Sequence, residues 1–294
     1  MLRLVAWSLC AVLIVSPARA ENLDVVASFS ILADFVRNVG GDKVKVTSLV
    51  GPNSDVHVYT PAPSDAKTVA AAQLVVINGL GLEGWLPRLL QSSGSKAPVV
   101  VATKGITPLK LGSAADPHAW QWVANAKTYV ANIRDALTEA DPADAEVFKS
   151  NAEAYLAKLD ALDDEIGPWV ASIPSAQRKL ITTHDAFGYF AKAYGLEFIA
   201  PQSVSTETEP GARDVAAIIA QIKRDRVPAV FIENISDDRL IGRIAAETGA
   251  RIGGKLFSDS LTDEKGDAPT YIDMMRHNIR TLRNALGGPP LVVR

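Results

Sequence analysis

The 294-residue chain contains only four histidines, His57, His118, His184 and His277. Imidazole is both the commonest metal ligand and the side chain that titrates near neutrality, so in a chain this poor in histidine each position matters. The first three sit in comparable places, each just past an apolar segment and just before a helical one. His57 lies in Gly51–Asp65, a stretch broken by glycine and three prolines that directly follows the apolar run Val44–Val50. His118 stands in Asp116-Pro117-His118, and His184 closes the apolar run Lys179–Thr183. A carboxylate occupies a similar place, because Gly254–Phe257 runs into Ser258-Asp259. Loops beyond the carboxyl ends of buried strands are where α/β folds hold their ligands. One loop histidine signals little, but three from distant parts of the chain point to a metal site assembled by the fold. Three neutral imidazoles and one carboxylate suit a divalent first-row ion. Zinc takes such a set as a tetrahedron with Zn–N bonds of roughly 2.0–2.1 Å, whereas manganese more often recruits further oxygens.

Other polar residues near these positions admit two readings each. Asp185 either takes the second N–H of a ligand imidazole or caps the helix that follows it. Glu233 ends a strand near the site and is either a support for a ligand or a buried structural acid; Asp116 and Asp55 are open in the same way. His277, on a helical stretch with no ligand-like turn, reads as structural or surface, and Trp120 and Trp122 read as packing.

The elements that must position these residues alternate. Leu23–Phe29, Val44–Val50, Leu74–Asn78 and Val99–Val101 read as strands, with helices over Ser30–Val39, Ser64–Ala72 and Leu82–Gln91 between them. Residues 102–117 read as a Gly-, Pro- and Ser-containing loop delivering His118, and helical spacing returns over Lys127–Leu137. After Asp141-Pro142, an N-cap followed by a favourable first-turn proline, Phe148, Ala152, Tyr155, Leu159, Leu162, Ile166, Trp169 and Ile173 recur at alternating spacings of four and three. A continuous helix over 142–173 would be about 45 Å long, with Pro168 able to kink it. No second helix of matching length is evident to complete a coiled coil, so it reads as a rigid strut between two lobes. The alternation then resumes: strands at Lys179–Thr183, Leu196–Ala200, Ala229–Glu233 and Gly254–Phe257, helices at Ala186–Tyr194, Thr208–Arg224, Asp237–Thr248 and Thr270–Leu286. The expected fold is α/β, two lobes each with a mostly parallel four-stranded sheet flanked by helices, joined by one long helix. The divisions are residues 1–20 as a signal peptide, 21–141 as the N-terminal lobe, 142–173 as the link and 174–294 as the C-terminal lobe.

Arg3, the short apolar run Leu4–Val15 and Ala18-Arg19-Ala20 form the pattern of a cleavable export signal with cleavage after Ala20, which predicts a periplasmic protein. The run is too short for a permanent membrane anchor. The single cysteine, Cys10, lies inside it, so the mature chain would carry no disulfide and depend on its core. Without Arg3 and Arg19 the chain has 28 basic and 33 acidic residues, a net charge of −5 that argues against a nucleic-acid partner.

Gly51–Asp65, Asp116–Trp120, Thr183–Phe190 and Phe257–Leu261 resemble, in order and spacing, the four ligand segments of the metal-binding solute-binding proteins that serve ABC importers for zinc and manganese. The similarity spans the mature chain, including Phe231-Ile232-Glu233-Asn234 and Tyr271–Asn278. It implies two α/β lobes, a long linking helix, and one transported ion held between the lobes by His57, His118, His184 and Asp259. It also implies a membrane permease as partner, with a periplasmic metallochaperone as a further candidate, a monomer, and no enzymatic activity. Manganese-binding relatives commonly place Glu at the third position, so His184 tilts the expectation towards Zn2+, with Mn2+ or Fe2+ as the alternative. Against that tilt, residues 102–117 contain no histidine, whereas many zinc-binding relatives carry a histidine-rich loop before the second ligand. A zinc hydrolase is the rival class. A catalytic zinc usually has three protein ligands and an open position, and this chain has no HExxH pattern. Three histidines and an aspartate also argue against a protein for metal chelates such as siderophores.

Overall fold

The computed structural model describes residues 22–112 and 114–287, so the expected export signal lies outside the described residues. The first half alternates β1 (Leu23–Phe29), α1 (Ser30–Gly40), β2 (Val44–Val50), α2 (Pro63–Ala71), β3 (Leu74–Ile77), α3 (Leu86–Ser93) and β4 (Val99–Val101). These strands form one sheet in the order β2-β1-β3-β4, parallel throughout. The segment expected as a plain loop carries a small antiparallel hairpin, β5 (Lys110–Leu111) and β6 (Ala114–Ala115). Two helices follow, α4 (Val123–Ala140) and α5 (Ala145–Ala171). The second half runs β7 (Lys179–Ile181), α6 (Gly188–Tyr194), β8 (Glu197–Ile199), α7 (Ala212–Asp225), β9 (Ala229–Glu233), α8 (Arg239–Thr248), β10 (Arg251–Leu256) and α9 (Tyr271–Ala285). Its sheet has the order β10-β9-β7-β8 and is again wholly parallel. Both sheets are the expected ones, and α5 links them.

The long helix is shorter than the sequence pattern suggested, because Pro142–Asp144 forms a 3-10 turn and the α-helix proper has 27 residues, about 40 Å. Its seam is Phe148, Ala152, Tyr155, Leu159, Leu162 and Ile166, with Ile173 just beyond the helix, all buried as expected; only Trp169 departs from it. Val170 is buried where Trp169 was expected, and Trp169 is only partly covered. Nor is α5 a bare strut. Asn151 Nδ2 donates to the Val39 carbonyl in α1 at 3.1 Å, Tyr194 of α6 donates to Asp163 at 2.6 Å, and Arg276 of α9 makes a two-pronged ion pair with Glu165 at 2.6 and 2.9 Å. One buried core therefore runs without a break from the first sheet through α1, α4 and α5 to α9 and the second sheet. Burying each large apolar side chain of that seam contributes about 1.5–3 kcal/mol. Smaller clusters under α2 and α3, and under α7 and α8, cover the outer faces of the two sheets.

Several helices start later than their patterns suggest. Leu82 lies outside α3, which starts only at Leu86; before it, residues 79–81 all have positive φ, and the Glu83 carboxylate turns back to accept the backbone N–H groups of Asn78 and Gly79. Likewise α6 begins at Gly188 rather than Ala186, and α7 at Ala212 rather than Thr208, since the intervening residues form loops around the site. In β10 the register shifts between Ile252 and Lys255, where Gly253 lies under the Phe231 ring; a Cβ there would meet the ring at 2.5 Å. The glycines mark a bulge inside the strand, not its start.

Candidate metal centre

His57, His118, His184 and Asp259 come together from four separate loops between the two sheets. One potential ligand atom from each lies within 4.8 Å of the others. His57 Nε2 is 3.3 Å from His118 Nε2 and 3.3 Å from Asp259 Oδ2. His184 Nε2 is 3.4 Å from His118 Nε2 and 3.1 Å from Asp259 Oδ2, and His118 Nε2 is 3.5 Å from Asp259 Oδ1. All four side chains are buried, and only His57, at 5%, retains any exposure. Neither oxygen of Asp259 receives a hydrogen bond. A buried carboxylate in that condition is costly unless a cation or proton compensates it.

The imidazoles are aimed by the chain around them. Asp55 Oδ1 accepts the His57 backbone N–H at 2.8 Å, and Asp116 Oδ1 accepts that of His118 at 2.9 Å. These are the same Asp-x-His turn made twice. Asp116 Oδ1 also faces His118 Nδ1 at 2.8 Å. Gly188 is needed beside it, because a Cβ there would come within 2.8 Å of Asp116 Oδ2. For His184 the carboxylate comes from β9. Glu233 Oε1 accepts the backbone N–H groups of Thr183 and His184 at 2.8 and 2.9 Å, while Oε2 lies 2.6 Å from His184 Nδ1. With Nδ1 facing a carboxylate in both cases, Nε2 is the nitrogen presented to the shared centre. Asp116 and Glu233 thus support ligand candidates. Asp185 does neither job expected of it, since Glu233 stands behind His184 and α6 starts only at Gly188.

The first lobe grips the Asp259 loop. Trp120 Nε1 and Gln121 Nε2 both donate to the Ser258 carbonyl, at 2.9 and 2.7 Å, and the Leu261 N–H donates to Ser30 Oγ at 2.9 Å. On its other side the loop is paired to α9, where Asn278 accepts the Phe257 N–H and donates to the Phe257 carbonyl. Trp120 is wholly buried with its ring edge against His118, so it both packs and positions. Sequence reasoning missed Gln121, Ser30 and Asn278, which carry no spacing signal; the first two act across more than a hundred residues of chain and Asn278 across 21. His277, beside Asn278, stays outside the cluster; its Nε2 is 3.0 Å from the Lys255 carbonyl, and burial shifts its pKa down.

Charge balance is consistent with a divalent ion. When no ion is bound, burial alone would push His118 down, but Asp259 and Asp116 raise it to about 9. Burial also opposes charge on His184, yet Glu233 and Asp259 hold it well above the ordinary histidine value. Burial would raise Asp259, but His118 and His184 hold it well below the usual carboxylate range. Protons on two imidazoles offset the buried carboxylates, and one doubly charged cation could replace both.

Two parallel α/β sheets bridged by one long helix, with buried imidazoles and a carboxylate converging between them, define the class of metal-binding solute-binding proteins. The family described as zinc-uptake complex component A, periplasmic (ZnuA), matches residues 25–285, and the chain belongs to it. Its members are substrate-binding components of ABC metal importers, not enzymes. Among its relatives, the iron-binding protein YfeA of Yersinia pestis is 37% identical over 273 residues, covering 91% of this chain and 88% of its own. The manganese-binding lipoprotein MntA of Halalkalibacterium halodurans is 37% identical over 267 residues, covering 90% and 89%. Among solved structures, the periplasmic zinc-binding protein TroA of Treponema pallidum superposes with a TM-score of 0.87 at 32% identity, covering 90% of this chain and 99% of that one.

Proposed function

We propose that this protein captures a single divalent ion outside the cytoplasm, holds it through His57, His118 and His184 Nε2 and Asp259, and hands it to the permease of an ABC importer. The ion is cargo, and zinc is the preferred one. The observation that carries this reading is the spacing of the four groups. In a regular tetrahedron the ligand–ligand edge is about 1.63 times the bond length, so zinc bonds of roughly 2.0–2.1 Å correspond to edges of about 3.3–3.4 Å. Four of the six edges of the set that uses Asp259 Oδ2 measure 3.1–3.4 Å, near that value, and the whole set of four atoms lies within 4.8 Å. Three nitrogens favour zinc over manganese by ligand type and by the Irving–Williams order. The relatives named for iron and manganese support a second reading, in which the same site carries Mn2+ or Fe2+ and recruits the second Asp259 oxygen. Four protein ligands leave no open position for the water of a hydrolytic zinc. The export pattern of residues 1–20 supports a periplasmic location. Elemental analysis of protein taken from its own compartment, followed by competitive titration of zinc against manganese, tests the reading. Preferential manganese or iron loading would favour the second, and no tight divalent binding would refute both.

A further inference from the structure

A cleft of about 670 Å³ opens beside the site and is lined by Asp55, Val58, Thr183, Gln202 and Thr206, among others. It reaches the chain neighbours of both His57 and His184. His57 is the one member of the cluster with residual exposure, so the shortest way between the cluster and solvent passes it. One side-chain bond joins the His57 turn to the β8–α7 loop, Thr206 Oγ1 donating to Asp55 Oδ2 at 2.6 Å, whereas residues 51–54 of the same stretch are held further back by the Asp259 loop and Asn234. The other oxygen of the same carboxylate holds the His57 backbone N–H at 2.8 Å. Thr206 is in turn tied towards His184. Gln202 Nε2 donates to the Thr206 and Thr208 carbonyls at 3.0 and 3.1 Å, and Gln202 pairs with His184 in an isolated parallel bridge. A continuous chain of bonds therefore runs from His57 through Asp55, Thr206 and Gln202 to His184, over the mouth of the site. The Asp259 loop, by contrast, is fastened to the first lobe by several bonds deep in the core.

We infer that the Asp55–Thr206 hydrogen bond is a latch across the metal site, and that its breaking sets the rate at which the ion passes His57. The inference rests on the metal-carrier reading above. Asp55 and Thr206 are positioning residues: they do not touch the ion but hold the turn of one ligand against the loop of another. Breaking the bond would free the Asp55 carboxylate, relax the His57 turn and let the β8–α7 loop lift without disturbing the core.

The test is stopped-flow transfer of zinc from the loaded protein to excess chelator. Thr206→Val removes the donor at nearly constant shape and should raise the dissociation rate about tenfold, the order expected for a hydrogen bond to a carboxylate. Thr206→Ser should restore the wild-type rate, and Ser205→Ala in the same loop should leave it unchanged. The metal-free protein should stay cooperatively folded in all of them, with a melting temperature lowered by at most a few degrees in Thr206→Val, whereas a general loss of structure would lower it far more. If Thr206→Val folds poorly, Thr206→Ala supplies the same readout. Asp55→Asn should also release faster, and adding Thr206→Val to it should bring little further gain. Unchanged release from both Thr206→Val and Thr206→Ala overturns the latch, as does acceleration by Asp55→Asn alone, which would confine the effect to the His57 turn. A wild-type protein that holds no divalent ion would instead overturn the carrier reading itself, before any variant is compared.

Discussion

Loading the site should release protons at neutral pH, and affinity should keep rising well above the pH at which free imidazole becomes neutral. A metal-bound imidazole must be unprotonated, so the metal-free protein binds more protons than the loaded one and affinity climbs with pH. Its climb ends only once the raised histidines have titrated. With His118 at about 9, its proton alone weakens binding at pH 7 by about 100-fold relative to the fully neutral site, or ~2.7 kcal/mol. His184, raised in the same direction, adds to this penalty. Calorimetric titration with zinc at pH 7.5, in two buffers of different ionisation enthalpy, counts the protons directly; one to two per ion are expected. Competition with a chelator should show affinity still increasing between pH 7 and 9. Zero protons released, together with a flat profile over that range, would refute the electrostatic account. Stability of the metal-free fold runs the other way for His118, whose contribution is complete below its ordinary 6.5 and lost as pH rises through about 9. The Asp259 contribution is present above 3.8 and lost as pH falls through its depressed native value.

Other outcomes follow from the same geometry. His118→Ala should weaken zinc binding more than any change behind the ligands and also lower the apo melting temperature near neutral pH, because it removes the proton that faces Asp116 and Asp259, whereas His277→Ala should leave affinity close to wild type; chelator competition and thermal melts on the two variants compare them. Glu233→Ala strips the Thr183 and His184 backbone N–H groups of their acceptor and removes the carboxylate that lies 2.6 Å from His184 Nδ1. It should cost about 10–100-fold in affinity and destabilise the metal-free form by about 1–3 kcal/mol for each group left unpaired, read by titration and by denaturant unfolding. His184→Glu replaces a nitrogen with an oxygen ligand and should narrow the zinc-to-manganese affinity ratio, mainly by weakening zinc; a ratio that does not move would assign selectivity to the spacing of the loops.

The residues that converge were legible because their types are scarce and their places repeat. Three of four histidines followed strand-like runs, and the structure brings those three and Asp259 together. Asp55 and Asp116 carried a readable signal that went unused: each stands two residues before its histidine, the spacing of a side chain that accepts the backbone N–H of its own turn. Glu233 could only be suspected, since it reaches His184 across fifty residues through the pairing of β7 with β9. The seam of α5 was readable at every position but one, from Phe148 to Ile173, where local periodicity and tertiary burial agree. At Trp169 the core takes the neighbouring, smaller Val170 and leaves the indole partly covered. Helix starts failed wherever loop residues serve the site, at Leu82, Ala186 and Thr208, since helical spacing does not report a backbone diverted to hold ligands.

The long helix bears on how an ion can leave. A strut touching the lobes only at its ends would let them tilt, but α5 is packed along its length against elements of both. Asp34 shows how closely they are joined. This α1 carboxylate, pushed up to about 6 chiefly by burial, accepts the Tyr271 N–H at the start of α9 at 3.0 Å and lies 3.4 Å from the Tyr155 hydroxyl of α5. One side chain thus ties the first lobe, the link and the second lobe together, and Phe35 packs its ring against both Tyr155 and Tyr271 in the same place. A wide hinge opening would have to expose this junction and the continuous core around it, at a cost that rises with every apolar side chain uncovered. Among the described residues, the β8–α7 loop and the His57 turn meet through one hydroxyl–carboxylate bond, beside an open cleft. Motion follows the weaker connection, so ion exchange belongs to the loops at the mouth while the helices behind them stay together.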